Sequence, residues 1–322
     1  LEQFPQISAK TVFNGTFFNK FNKYTTDQFV QREEFRKLKI NAEFNLLRKS
    51  DYNNLYQYGD YIISQTYPLN EKSVLNISKK INQIYEQYLT DQNNVYFTIV
   101  PDKNYFINDE NLKLDYNKLE NLLSRNLSFA KYIRIFDMLE LEDYYKTDTH
   151  WKQERLLKVA KTIAESMNVN LENEYKEKTI CDFQGTYSGQ LPISTAKDKI
   201  KILTNSEIEK SKVYNYETKK ENKVYNMEKI NSLDKYDIYL SGATPVLKIE
   251  NPENKTGNEL IIFRDSYASS LVPLFIPKYS KITLIDTRYI SPKLLPNYVE
   301  FNNQDILFMY STLVINNSYS LK

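Results

Sequence analysis

The stretch Glu259-Leu260-Ile261-Ile262-Phe263-Arg264-Asp265-Ser266-Tyr267-Ala268-Ser269-Ser270-Leu271 decides the fold. Leu260 to Phe263 is a continuous apolar run of β-formers and reads as a buried strand. Ser266 follows, and Tyr267 to Phe275 carries a short helix-like apolar pattern that ends near Pro277. A strand that turns directly into a helix lifts the hydroxyl at the turn out of the sheet edge. The first backbone N–H groups of the helix point at the same spot. Such a serine is either a helix N-cap or a nucleophile whose developing oxyanion those amides would face. Further strands follow at Ile282 to Ile285 and Ile306 to Tyr310, with a helix-like Lys293 to Phe301 between them. This alternation implies right-handed crossovers and parallel strands, hence an α/β fold with an open, mainly parallel sheet flanked by helices. Ser266 then falls at a strand's carboxyl end, where open sheets place their sites.

Upstream, Val95 to Val100 reads as a strand ended by Pro101, and Tyr132 to Phe136 as a second, short one. The loop after it contains the only histidine of the 322-residue chain, in Asp148-Thr149-His150-Trp151. A carboxylate two residues before an imidazole can hold one ring nitrogen and fix the tautomer, leaving the other to take a proton from a nucleophile. A lone histidine also serves as a packing residue or a helix start; Ser266, as a partner nucleophile, favours the base. His150 is expected to open a helix whose apolar face is Leu156, Ala160, Ile163, Ala164 and Met167, with Thr149 or Asp148 as the cap. In that first turn the helix dipole disfavours imidazolium and Asp148 opposes the shift, an arrangement suited to a general base.

Asp148, His150 and Ser266 together resemble a family. Asp265-Ser266 matches the Asp-Ser core of the Gly-Asp-Ser block of SGNH hydrolases. Asp148-x-His150 matches the Asp/His block of their circularly permuted relatives, the AlgJ/AlgX-type polysaccharide O-acetyltransferases, in which that pair precedes the serine. The likeness extends to Gram-positive DHHW-motif proteins, whose motif here reads Asp148-Thr149-His150-Trp151. Asn14-Gly15-Thr16-Phe17, Asp27-Gln28-Phe29 with Arg32, Val100-Pro101-Asp102-Lys103 and Ile285-Asp286-Thr287-Arg288-Tyr289 also fit. Arg264 stands where the block has glycine, and Thr149 where the motif has its first histidine. The resemblance implies an extracellular polysaccharide O-acetyltransferase working through a Ser266-His150-Asp148 triad and an acetyl-serine. It implies a surface polysaccharide as acceptor, a membrane-bound O-acyltransferase as acetyl donor, and a place outside the cell or on its surface. Arg288, Tyr187 and Gly185 are the candidate substrate-binding residues. A carbohydrate acetylesterase with the same triad, and a non-catalytic polysaccharide-binding or assembly protein, are the alternatives.

Composition narrows the rest. With 43 basic and 41 acidic residues well mixed, net charge is +2, which argues against a nucleic-acid partner. Cys181 is the only cysteine, so intrachain disulfides are excluded and a histidine- or cysteine-based zinc site is close to impossible. No phosphate-cradling glycine loop is present, and no cofactor is expected. The 27 tyrosines suit sugar stacking, but a genomic bias towards Tyr, Asn, Lys and Ile accounts for most of them. No apolar stretch reaches transmembrane length; the chain opens at Leu1-Glu2 rather than Met, and a removed leader or anchor is expected to precede it. Residues 1–90 read as an N-terminal helical extension packed on the core: irregular over 1–25 with a turn at Asn14-Gly15, helical over 26–49 (Phe29, Phe35, Leu38, Ile40, Phe44, Leu47) and over 73–90 (Val74, Ile77, Ile81, Ile84, Tyr88). Residues 91–322 read as the catalytic domain, with a polar insertion around 200–258. Gly185 and Gly189 mark a flexible loop, 205–235 a polar surface insertion with some strand character, and Asn251 to Asn258 a loop.

Overall fold

A computed structural model describes residues 3–28, 32–43, 51–107, 112–191 and 196–322. The strands in chain order are β1 (Leu55–Tyr58), β2 (Tyr61–Ser64), β3 (Val95–Val100), β4 (Lys131–Ile133), β5 (Lys176–Phe183), β6 (Asp198–Thr204), β7 (Lys212–Asn215), β8 (Lys220–Asn222), β9 (Val246–Glu250), β10 (Glu259–Arg264), β11 (Lys281–Ile285) and β12 (Asp305–Ser311). Eight of them form one sheet in the order β4-β3-β12-β10-β11-β9-β7-β8. From β4 to β11 every pairing is parallel; β9, β7 and β8 add an antiparallel edge. β1–β2 and β5–β6 are separate antiparallel hairpins.

The sheet is two-sided because its strands are apolar on both faces. Leu260 and Ile262 of β10, with Leu307 and Met309 of β12, join one buried cluster; Ile261, Phe263, Ile306 and Phe308 join the other. This is the period-two alternation of a strand covered on both sides. Helix α6 (Leu157–Ser166) covers the first face through Val159, Ala160 and Ile163. α4 (Glu71–Tyr88) and α5 (Tyr116–Asn126) cover the second. In α4 the buried Val74, Ile77, Ile81 and Ile84 recur at three and four residues, and the Asn70 side chain accepts from Ser73 N at 3.1 Å as its cap.

β3 connects through α5 to β4 on its outer side, whereas β10 connects to β11 on the opposite side. The chain therefore diverges between β12 and β10, and the carboxyl end of β10 lies at that divergence, where open sheets form their crevice. Every residue from Leu260 to Pro277 is buried except Ser266.

Several expectations need correction. Among the described residues the irregular stretch expected over 1–25 ends at Ser8: α1 (Ala9–Phe13) and α2 (Thr16–Asp27) follow and meet at Gly15, which turns the chain with φ 74°. The helix expected over 26–49 is described only as α3 (Arg32–Asn41) with a π turn to Glu43; Phe29, Phe44 and Leu47 lie outside the described residues. The strand at Tyr132 to Phe136 is shorter and starts earlier, as β4. Lys293 to Phe301 forms only a 3-10 segment, Pro292–Asn297, with Pro296 inside it. The polar stretch 205–235 supplies β7 and β8, so it is joined to the main sheet by backbone hydrogen bonds. Gly185 to Gly189 leads into a short helix, α7 (Thr186–Gln190). Among the described residues no helix is long and apolar enough to cross a membrane.

Candidate active site

His150 does not open a helix. α6 starts at Leu157, after a 3-10 turn at Gln153–Arg155, and His150 lies in a tight loop closed by the isolated bridge between Tyr144 and Trp151. Tyr145 N donates to His150 O at 3.0 Å and Lys152 N to Asp143 O at 2.7 Å. The ring is therefore not in the first turn of a helix. The sequence signal was misleading because Asp148 does accept a backbone N–H as an N-cap would. The amide is that of His150 two residues on, at 3.0 Å, which closes a turn rather than starting a helix.

The loop brings its side chains to Ser266. His150 Nε2 lies 2.8 Å from Ser266 Oγ, and His150 Nδ1 lies 2.6 Å from Asp148 Oδ1. An ionised carboxylate only accepts, so Nδ1 carries the ring proton and Nε2 is left to accept from the Ser266 hydroxyl. The second carboxylate oxygen of Asp148 accepts from Thr186 N at 2.9 Å and Thr186 Oγ1 at 3.0 Å. Asp148 is fully buried. Burial alone pushes its carboxyl up; the neighbouring His150 ring and the hydrogen bonds from His150 and Thr186 outweigh that and hold it well below the usual carboxylate range. The Tyr236 ring lies flat on the imidazole, centroids 3.8 Å apart at 6°, and its hydroxyl donates to Ser270 Oγ at 2.8 Å. Trp151 Nε1 donates to Tyr267 O at 2.9 Å, and Tyr267 Oη donates to Thr149 O at 2.7 Å, so the residues after His150 and after Ser266 hold each other.

The supports of the loop lie outside the motif. Asp198 accepts from Lys146 N at 3.0 Å, Thr147 N at 2.9 Å and Thr147 Oγ1 at 2.7 Å. Lys103 is buried; its Nζ donates to Tyr145 O at 3.0 Å and to Ile62 O, and lies 5.1 Å over the Tyr187 ring. Burial pushes this ammonium down to about 7, against the opposing pull of Asp148 and Asp198. Asp265 is also buried, and accepts from Tyr267 N at 3.0 Å and Ser311 N at 2.7 Å, tying the Ser266 turn to β12.

The substitution of Arg264 for glycine does no harm to the turn, because Arg264 ends β10 in the strand ladder rather than in a left-handed conformation. Its fully buried guanidinium donates to Ser269 Oγ at 3.0 Å and Gly242 O at 3.3 Å, and burial holds its pKa below the ordinary value. Gly185 is buried against Asp148, and its N–H donates to Thr147 Oγ1 at 3.0 Å. Tyr187 is half-buried, with its hydroxyl in contact with Thr149 and Ser64. Arg288 forms a two-point pair with the buried Asp286, Nε at 2.9 Å and Nη2 at 2.6 Å. Tyr236, Asp198 and Thr186 are not marked locally in the sequence, since each acts across a long sequence separation; Lys103 stands out only as the end of the Val100-Pro101-Asp102-Lys103 block, without a role. Among the described residues no group of three or more His, Cys, Asp or Glu is arranged to hold a metal ion.

No protein-family profile matches the chain, and no curated protein matches it. Solved structures do. A DHHW family protein from Eubacterium siraeum superposes with a TM-score of 0.66 at 22% identity, covering 84% of this chain and 94% of that one. PatB1 of Bacillus cereus, determined with a sulfonyl adduct, gives 0.64 at 15% identity, covering 81% and 97%. The O-acetyltransferase domain of AlgJ from Pseudomonas putida gives 0.51 at 10% identity, covering 82% and 92%. The chain therefore has the fold that its motifs resemble.

Two predictions follow from this geometry. A Cβ on Gly185 would lie 2.2 Å from Asp148 Cβ, whereas one on Gly189 would meet nothing within 4 Å. Gly185→Ala should cost ~1–3 kcal/mol of stability in chemical denaturation, and Gly189→Ala less than about 0.5 kcal/mol. Equal effects would show that the close approach at Asp148 is not a constraint. The second prediction concerns Lys103. With a folded pKa near 7, below the ordinary ~10.4 of lysine, the unfolded chain holds a proton that the folded one lacks between those values, so this residue adds stability as pH rises. The unfolding free energy of the protein minus that of Lys103→Met should climb between pH 7 and 10, by at most about 1.4 kcal/mol per unit. A flat difference would mean that Lys103 stays charged in the folded protein.

Proposed function

We propose that the protein is an extracellular polysaccharide O-acetyltransferase that works through an acetyl-Ser266 intermediate. One observation carries this reading: Ser266, the single accessible residue in a buried strand-to-helix turn, has its hydroxyl 2.8 Å from His150 Nε2, whose other nitrogen is bound to Asp148. In the first half-reaction Ser266 Oγ attacks the acetyl carbonyl as its proton passes to His150 Nε2. The C–O bond to the donor then breaks, and the proton goes to the leaving oxygen. In the second half an acceptor hydroxyl gives its proton to His150 and attacks the acetyl carbonyl; the bond from that carbon to Ser266 Oγ breaks, and the serine oxygen takes the proton back from His150. Asp148 keeps the tautomer and balances the transient imidazolium. The Ser266 amide makes no hydrogen bond among the described residues and is the proposed donor to the oxyanion. Arg288 and Tyr187 are proposed acceptor contacts, with Gly185 shaping the wall beside Asp148.

Transfer rather than hydrolysis is supported by the likeness to an O-acetyltransferase domain. A second protein of this fold, PatB1, is solved with a sulfonyl adduct. The acetyl donor outside a cell has to be delivered, and a membrane-bound O-acyltransferase is the proposed source. An activated acetyl ester should add one acetyl group to Ser266 in intact-mass spectrometry, and acetyl-CoA should not. Adding an oligosaccharide acceptor should move the group to sugar; release of acetate alone would make the enzyme an esterase instead. Ser266→Ala and Asp148→Asn should each lower turnover of a phenyl acetate by ~10³-fold or more in a folded protein. A folded Ser266→Ala protein of near-normal activity would remove Ser266 as the nucleophile.

A further inference from the structure

Beside the loop that carries Asp148 and His150 lies an open cleft of about 460 Å³ lined almost wholly by charge. Lys146, Lys152, Arg155, Lys197, Lys199 and Lys201 supply its cations. Lys146 and Lys152 flank the motif, two residues before Asp148 and two after His150. Three carboxylates share the lining against these six cations, so positive charge stays in excess; Lys146 is also paired, with Asp60 at 2.7 Å. Glu177 pairs with Lys201 at 2.9 Å. Asp198 spends both oxygens on the amides of Lys146 and Thr147 and the Thr147 hydroxyl. Glu154 is partly buried, which pushes its carboxyl up, and its Oε2 has no partner. Arg155, Lys197 and Lys199 have no carboxylate partner among the described residues.

The arrangement of the cations narrows the ligand. Lys199 and Lys201 alternate along β6 with Ile200 and Ile202, which are buried in the core; Lys197, just before the strand, keeps the same parity. Side chains two apart on a strand stand on one face at a repeat of roughly 6.8 Å. A row of like charges at that interval suits a chain that carries a negative group on successive units, not one compact anion. No lining residue is aromatic, so the cleft offers no ring on which a neutral sugar could stack. The same strand also presents Asp198 inward to hold the loop at Thr147, which places the row of cations next to the residue before Asp148.

We infer that this cleft binds an anionic glycan or polyol chain, one bearing a carboxylate or phosphodiester on successive units, and that it is the acceptor-docking subsite of the enzyme. Its role in transfer rests on the acyl-transferase reading; its affinity for the chain does not.

Binding is measured on full-length Ser266→Ala protein, so that turnover plays no part. The probes are a uronate tetramer, a glycerol-phosphate tetramer and a neutral N-acetylglucosamine tetramer, each by titration calorimetry. One of the two anionic tetramers should bind, with affinity falling by about tenfold between roughly 0.05 and 0.3 M salt, and the neutral one should not. Which anion binds identifies the source of the charge. Lys197→Glu with Lys199→Glu should weaken binding by at least about tenfold. An equal charge change elsewhere, Lys72→Glu with Lys79→Glu on α4, should leave it within about twofold. Hydrogen exchange on the protein without the cleft changes should show protection at 197–201 when the tetramer is added, a readout that stands if the double variant fails to fold. The inference falls if neither anionic tetramer binds, if the neutral one binds as well, if both charge changes weaken binding equally, or if protection appears elsewhere. Binding by the Ser266→Ala protein, combined with no acetyl transfer by the unmodified one, would leave the cleft standing and overturn the proposed function.

Discussion

Both oxygens of the Asp148 carboxylate are bound by the protein itself, and much of the structure serves to keep them so. A buried charge is tolerated only when its hydrogen bonds are made. One oxygen takes the amide and ring nitrogen of His150; the other takes the amide and hydroxyl of Thr186. That second set requires α7 to approach within contact of Asp148, which is possible because residue 185 has no side chain. The approach is held in turn by Thr147, whose hydroxyl donates to Asp198 and accepts from Gly185 N. The β1–β2 hairpin takes part too, with Ile62 N donating to Lys146 O at 2.8 Å and Ile62 O accepting from Lys103. Segments from the hairpin, from Lys103 after β3, from the motif loop and from the start of β6 thus converge on one residue pair.

This convergence explains what could and could not be read from the sequence. β10 and β12 were legible because a strand covered on both faces is apolar on both, and four or five such residues in a row are conspicuous; β3 and β11 carry one buried threonine each, Thr98 and Thr283, in runs that are otherwise apolar β-formers. Ser266 and His150 were legible because one lies where such a run turns and the other is the only residue of its kind. The environment of His150 was not legible. Asp148 and Thr149 are good helix caps, and an apolar helical face does begin at Leu156; the pairing of Tyr144 with Trp151 and the bonds of the loop to itself and to Asp198 hold the intervening residues out of a helix. α2 was missed because its Asn, Thr and Lys content resembles a loop, although Phe17, Phe21 and Tyr24 recur at helical spacing and two of them pack on Phe4. The strand character expected in 205–235 is real, but its polar residues read as a surface insertion and hid that β7 and β8 continue the main sheet, with β8 at its edge.

Arg264 shows how a departure from a motif can be absorbed. In the ladder of β10 the backbone asks nothing of glycine, and the long side chain is buried with its guanidinium between Ser269 and Gly242. The guanidinium then bridges the helix after Ser266 to the loop that supplies the ring stacked on His150. A residue that looked like a defect in the motif is a strut between the Ser266 turn and the loop that supports His150.

Because His150 is the only imidazole in the chain and lies against the face of Tyr236, the protein carries its own reporter of the site. Its histidine ring protons and nitrogens form one spin system with no neighbours of the same type to assign it against. The ring current of Tyr236 should displace those proton signals upfield of a solvent-exposed histidine. The tautomer, the strength of the bond to Asp148 and any movement of the ring on acylation of Ser266 would each be visible in the same few resonances. In a protein with several histidines that view requires selective labelling or the removal of the others; here the unaltered chain provides it.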